Sequence, residues 1–166
     1  MSSRILVVDP HTVIADLLRV SLEVEGYEVE TASSTVDTML QMERCEFSLA
    51  LVNLSLPDGD GLRLLRLLKG KAPSLEVIMM TGSMTGSGSS SSTVVEATGQ
   101  GAFHFLFKPF DLNEMLTLVG KALERRQFMA ENSDLLRKLA QLGDKTAIIG
   151  NQEMDPRGSG DDPNLT

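Results

Sequence analysis

Asp9, Asn53, Thr81 and Lys108 each close a short apolar run: Ile5-Leu6-Val7-Val8, Phe47 to Val52, Leu75 to Met80, and Phe103 to Phe107. If those runs lie side by side as strands, a carboxylate, an amide, a hydroxyl and an ammonium meet in one place. Such a set suits holding better than reacting. An amide oxygen is far too weak a nucleophile to stand in for a carboxylate, and the one acid, Asp9, is matched by the one cation, Lys108. The charges sum to zero without a metal, so the expected contact is a direct Lys108–Asp9 pair, with Asn53 as a second acceptor for the ammonium. An enzyme would need a reactive group that this set lacks, so no catalytic residue is expected.

The elements that would position these residues alternate along the chain. Ile5 to Val8 is continuously apolar, as in a strand covered on both faces. Val13, Ile14, Leu17, Leu18 and Leu22 follow at helical spacing, and Gly26 ends that helix. Tyr27 to Thr31 alternates as a second strand, and Ser34 is a suitable N-cap for a helix carrying Val36, Met39, Leu40 and Met42. After the third strand, Leu56-Pro57-Asp58-Gly59-Asp60-Gly61 is dense turn chemistry. A leucine-rich helix (Leu62, Leu64, Leu65, Leu67, Leu68) stops near Gly70, before Pro73. Residues 82–93 form a Ser/Gly-rich stretch whose one apolar side chain is Met84, too little to order it. A short helix around Val94 to Thr98 precedes the fifth strand, where His104 is expected to face away from Phe103 and Phe105. Asp111 caps a long last helix that begins with Leu112, Met115, Leu116 and Val119. Five strands alternating with five helices predict an α/β fold: a doubly wound parallel sheet with right-handed crossovers and an extended C-terminal helix. The functional crevice of such a sheet lies beyond the carboxyl ends of its strands, where the four polar residues sit.

These runs, with Asn53 to Gly61, Val77 to Gly82 and Gly101 to Phe110, resemble the receiver domain of bacterial two-component response regulators over residues 4 to about 125. The resemblance implies a flavodoxin-like strand order 2-1-3-4-5, counting the five strands in sequence. It also implies a site in which two adjacent acids after the first strand hold magnesium and an aspartate after the third accepts a phosphoryl group. A threonine and a lysine then contact that group. Here Asp9, Thr81 and Lys108 match, but Pro10 stands at the second acid and Asn53 at the phosphoacceptor. Magnesium prefers an octahedral shell of hard oxygens with one or two carboxylates. With one acid left, weak or no magnesium binding is expected, and no other cofactor. Asn53 is read as a natural loss of the acceptor; the alternative is a phosphoryl-accepting switch carrying an engineered Asp-to-Asn change, against which Pro10 argues. In the family an aromatic three residues before the lysine follows the threonine inward on activation. Thr81 and Phe105 take those places, and Phe105, having no hydroxyl, is expected to stay buried, either as a locked switch residue or as plain core.

His11 and His104 lack partners at metal-ligand spacing. The stretch 82–93 is read as a solvated loop, with a remodelled signalling surface or an anion-binding nest as its functional alternatives. Beyond Arg126, Phe128, Asn132, Leu135, Leu139 and Leu142 recur at alternating four and three, the seam of a coiled coil, and a buried asparagine there favours a parallel, in-register dimer. A single helix folding back on its own domain would show the same pattern. Thr146-Ala147-Ile148-Ile149-Gly150 resembles the start of the central ATPase domain in sigma-54-dependent activators of the nitrogen-regulator (NtrC) type. No Gly-x-x-x-x-Gly-Lys-Ser/Thr loop is present, so the chain is not that ATPase. The expected organisation is a receiver-like domain over 1–125, a helical linker over 126–145, and over 146–166 a disordered tail or the start of a truncated effector domain.

Composition bounds the rest. A net charge of −8 argues against a nucleic-acid contact surface. No run reaches the length of a membrane span, and the N-terminus enters a strand too soon to hold a signal peptide. The one cysteine, Cys45, read as a partly buried thiol on a helix, cannot form an internal disulfide, which suits a reducing cytoplasm. Asn53-Leu54-Ser55 and Asn164-Leu165-Thr166 match the N-glycosylation pattern, but without a secretion signal both are read as chance. The expected partners are a second copy, through the linker or the helix 4–strand 5–helix 5 face, and effector ATPase or DNA-binding domains in a longer protein.

Overall fold

The computed structural model describes residues 3–82 and 91–145, apart from the side chains of residues 91–92 and 143–145. Calls for a mobile loop and a disordered tail therefore fall largely outside the described residues, as does the Ile148-Ile149-Gly150 segment. The chain divides between Arg126 and Gln127 into two units. In the first unit the order is β1 (Arg4–Val8), α1 (Thr12–Val24), β2 (Glu28–Ala32), α2 (Thr35–Arg44), β3 (Leu49–Asn53), β4 (Ser55–Leu56), β5 (Gly59–Asp60), α3 (Gly61–Lys71), β6 (Glu76–Thr81), α4 (Ser91–Gly99) and β7 (His104–Phe107). The last element, α5 (Leu112–Lys145), begins in the first unit and supplies the described part of the second.

Among the described residues, five strands form one parallel sheet in the order β2-β1-β3-β6-β7. Skipping the two short strands β4 and β5, this is the order 2-1-3-4-5. Alternation along the buried strands sorts side chains onto two faces. Leu6, Val8, Ala50, Val52, Val77 and Met79 face one cluster with Leu64, Leu65 and Leu68 of α3. Ile5, Val7, Leu49, Leu51, Ile78 and Met80 face the other, with Leu18 and Leu22 of α1 and Met115 and Val119 of α5.

The polar ends are held locally. Ser34 caps α2 by accepting from the Asp37 N–H, and Asp60 caps α3 by accepting from the Arg63 N–H at 2.8 Å. The turn at 56–61 closes as the small antiparallel pair β4–β5, which residue types alone did not distinguish from a loop. At its tip Asp58 accepts from the first-turn amides of α2, Thr35 N–H at 2.8 Å and Val36 N–H at 3.0 Å. Those backbone donors hold the Asp58 carboxyl below the usual carboxylate range. Its contribution to stability is thus present above the ordinary aspartate pKa and fades as the pH falls through the lowered one. At the opposite end of the sheet, the buried Glu76 takes a bidentate pair from Arg125, with Nε to Oε2 at 2.7 Å and Nη2 to Oε1 at 2.5 Å. The same guanidinium lies 4.8 Å over the Phe103 ring.

Three expectations need correction. Val13 and Leu17 of α1, and Val36 and Leu40 of α2, are exposed; Ala15 and Thr38 are buried in their place. Phe103 precedes β7 rather than opening it, so strand alternation does not reach it; it packs on the α1–α5 side while Phe105 lies among the α3-side residues. Cys45 sits just past α2, where its sulfur accepts from the Arg4 guanidinium at 3.0 Å.

Gly61 is the position where a side chain is excluded. A Cβ there would lie 2.6 Å from the Asn53 carbonyl oxygen and 2.9 Å from the Leu54 Cα, both backbone, whereas one at Gly70 would meet nothing within 4 Å. Gly61→Ala should therefore destabilise the domain by about 1–3 kcal/mol, while Gly70→Ala in the same helix should stabilise it by about 0.5–1 kcal/mol. Urea denaturation midpoints of the two variants should move in opposite directions.

Candidate functional site

Parallel strands bring their carboxyl ends to one edge, and β1, β3 and β7 deliver Asp9, Asn53 and Lys108 there. The Asp9 backbone continues the sheet, its N–H donating to the Ala32 carbonyl at 3.0 Å. Asn53 is the last residue of β3, in register with Met80 of β6. Lys108 follows β7 and is tied by its own N–H to the Thr81 carbonyl at 2.7 Å. The Lys108–Pro109 bond after it is cis.

The side chains form one hydrogen-bonded group. Lys108 Nζ donates to Asp9 Oδ2 at 2.7 Å and to Asn53 Oδ1 at 2.9 Å. Asn53 Nδ2 donates to the Ser55 carbonyl at 2.8 Å, which fixes the amide with its oxygen toward the ammonium. The other Asp9 oxygen, Oδ1, accepts from the His11 N–H at 2.9 Å and faces His11 Nδ1 at 2.9 Å. The Asp9 side chain is wholly buried and that of Lys108 is 14% exposed. Both oxygens of the carboxylate are therefore engaged, by three donors from two residues.

Of the residues singled out in the sequence, Asp9, Asn53 and Lys108 are thus in direct contact. Pro10 is half-buried between Asp9 and His11, and Thr81 is buried at the end of β6, joined to Lys108 through its backbone. Phe105 is 6% exposed and stacks on Phe107, with ring centroids 5.3 Å apart. The spacing of residue types marks His11 neither as a metal ligand nor as part of this group, yet it joins it. Its signal was positional: it stands two residues after an acid at a strand–helix junction, the spacing at which an aspartate side chain caps its own backbone. Among the described residues no group of three or more His, Cys, Asp or Glu side chains could hold a metal ion.

Residues 5–120 match the response regulator receiver domain. The chain belongs to that family. Among its relatives, the alginate biosynthesis transcriptional regulatory protein AlgB of Pseudomonas aeruginosa is 33% identical over 85% of this chain and 30% of its own length. The DNA-binding transcriptional regulator NtrC of a Bradyrhizobium species is 34% identical over 72% of this chain and 24% of its own. The chain thus spans less than a third of these curated relatives. Among solved structures, a CheY-like receiver domain protein from Methanospirillum hungatei superposes with a TM-score of 0.72 at 32% identity, over 78% of this chain and 99% of that one. The NtrX protein of Brucella abortus gives 0.73 at 32% identity, over 81% of this chain and 30% of that one. A receiver of this family is a regulatory module of two-component signalling, and these relatives include transcriptional regulators. No helix among the described residues is long and apolar enough to cross a membrane.

In this receiver, removing the Lys108 ammonium would leave a buried carboxylate without its counter-charge. Lys108→Ala should cost about 2–4 kcal/mol in unfolding free energy. Pairing it with Asp9→Ala should recover at least about 1.5 kcal/mol of the summed single losses in a double-mutant cycle, read from urea denaturation.

Proposed function

We propose that this receiver regulates without being phosphorylated, as the regulatory and dimerisation module of a cytoplasmic transcriptional response regulator of the sigma-54-dependent, NtrC type. The observation that carries this is the Lys108 ammonium bonded at once to Asp9 and Asn53. Acyl phosphate formation needs a carboxylate nucleophile, and the residue in that place offers an amide whose oxygen is already accepting a hydrogen bond. Magnesium fits poorly as well. Pro10 has no side-chain oxygen, both Asp9 oxygens are engaged, and an ion would have to displace Lys108 from its partners. The pocket is neutral as it stands, so a divalent cation has little charge to compensate. Receiver domains act through contacts with other proteins, so no catalytic role follows.

The linker supports the dimer. Phe128, Leu135, Leu139 and Leu142 are each more than half exposed on the helix beyond Arg126, and Asn132 lies in the same stripe. A run of apolar side chains at heptad spacing is most simply covered by a second copy of itself. One similar structure is described as a beryllofluoride-activated NtrC4 receiver domain dimer.

A small phosphoryl donor with magnesium, read by intact mass, tests the first part. The protein should gain no phosphoryl group, and Asn53→Asp alone should not restore labelling because Pro10 and the Asp9–Lys108 pair remain. Labelling restored by that single change would instead support an ordinary switch carrying an altered acceptor. Light scattering tests the second part: the chain should be dimeric at micromolar concentration and Leu135→Glu with Leu139→Glu should make it a monomer. A monomeric parent chain would refute the linker's role.

A further inference from the structure

Among the described residues beyond Arg126, six apolar side chains stand more than half exposed, and a two-stranded seam accounts for four of them: Phe128, Leu135, Leu139 and Leu142. The other two are Met129 and Leu136. With Asn132 and Leu139 at the a positions of the heptad and Phe128, Leu135 and Leu142 at d, Met129 and Leu136 fall at e, and Glu131 and Lys138 at g. The two flanks of the seam thus differ in kind. One is apolar, and the other carries a charge of each sign. The nearby Asp134 is paired with Arg137 within the helix.

The flanks separate the ways in which two copies can lie together. In a parallel pair the g position of one helix meets the e position of the other. That sets the Glu131 carboxylate beside Leu136 and matches no charge with its opposite. Reversing one helix exchanges its flanks, so g meets g and e meets e. With Phe128 opposite Leu139 and Asn132 opposite Leu135, Glu131 of each copy meets Lys138 of the other, and Met129 meets Leu136. A slip of one heptad either way would set Lys138 against Lys138 or Glu131 against Glu131, and facing like charges oppose it. Asn132 taken alone suits a parallel pair. In this antiparallel register, however, the two Asn132 residues occupy adjacent central layers, about 4.5 Å apart along the axis. Their amides are then near enough to meet across the seam.

We propose that the second copy covering this face runs antiparallel to the first, in the register that pairs Glu131 with Lys138 and Met129 with Leu136. This rests on the reading that the linker pairs with itself. The two chains then enter the paired stretch from opposite ends. The dimer forms without the two receivers having to meet, and its formation waits on no change at the Asp9–Asn53–Lys108 group.

Single cysteines in the full chain carrying Cys45→Ser test this under mild oxidation, read on non-reducing gels. Mixed Phe128→Cys and Leu139→Cys chains should join to each other. Leu142→Cys should not join to itself, because the two 142 positions lie about 25 Å apart along the axis. In solution Glu131→Lys should raise the dimer dissociation constant about fivefold or more, and adding Lys138→Glu should restore it. A self-joined Leu142→Cys dimer, mixed chains that fail to join, or a charge swap without rescue would overturn the antiparallel register. Light scattering of the parent chain reports separately. A dimeric parent whose Leu142→Cys variant joins to itself loses only the orientation, whereas a monomeric parent loses the linker's role as well.

Discussion

A carboxylate cannot be taken wholly out of water beside a sheet edge without a partner, and Asp9 is placed there by the last turn of the chain out of β1. Its counter-charge comes from Lys108, 99 residues later. Locally, the next residue is a proline, and His11 supplies a backbone N–H and one ring nitrogen to the other carboxylate oxygen. The pair therefore requires that β7 reach the same edge as β1. The parallel order β2-β1-β3-β6-β7 brings it there, with β3 and β6 between them carrying Asn53 and Thr81. Solvation of one acid thus ties the first strand of the domain to the last.

A second buried acid is managed at the other end of the sheet. Glu76 opens β6 and is met by Arg125 of α5, whose guanidinium also covers Phe103. Arginine suits this place because its planar fork can take both oxygens of a carboxylate while its face lies on an aromatic ring. The two ion pairs differ in what they hold. Asp9–Lys108 joins strand ends to one another, whereas Glu76–Arg125 fastens the last helix to the sheet close to where the linker departs. The hairpin β4–β5 adds a third tie through Asp58 to the start of α2. In each connection an acid meets donors from the backbone or from a distant cation.

What could be read from the sequence follows the range of the forces involved. Strands buried on both faces appear as unbroken apolar runs, so their ends, and with them Asp9, Asn53, Thr81 and Lys108, stand out by contrast. Charge counting then pointed to the Lys108–Asp9 contact found in the structure. Helix faces were less legible: α1 carries apolar residues around more than one side, and periodicity alone did not separate Leu18, which packs on the sheet, from Leu17, which does not. Contacts between a side chain and a distant backbone left no periodic trace at all. Asp58 looks like one more turn residue, and Glu76 is passed over inside a run that is otherwise apolar. His11 is legible in principle, since an acid followed two residues later by a helix start is a local motif.

On the proposed reading, the set of Asp9, Pro10, Asn53 and Lys108 has its own electrostatic sense. A pocket with three carboxylates and one ammonium is over-charged and depends on a cation to be stable. If two of the acids become neutral, the remaining acid and the lysine form a closed pair, and each then becomes costly to change without the other. On the proposed reading Lys108 persists because Asp9 persists, independent of any phosphoryl group. Thr81 has a separate structural place, buried at the end of β6 with its carbonyl holding the Lys108 backbone. A receiver can thus keep most of the appearance of a phosphorylation site for reasons of folding alone. On that reading the residues diagnostic of its chemistry are Pro10 and Asn53.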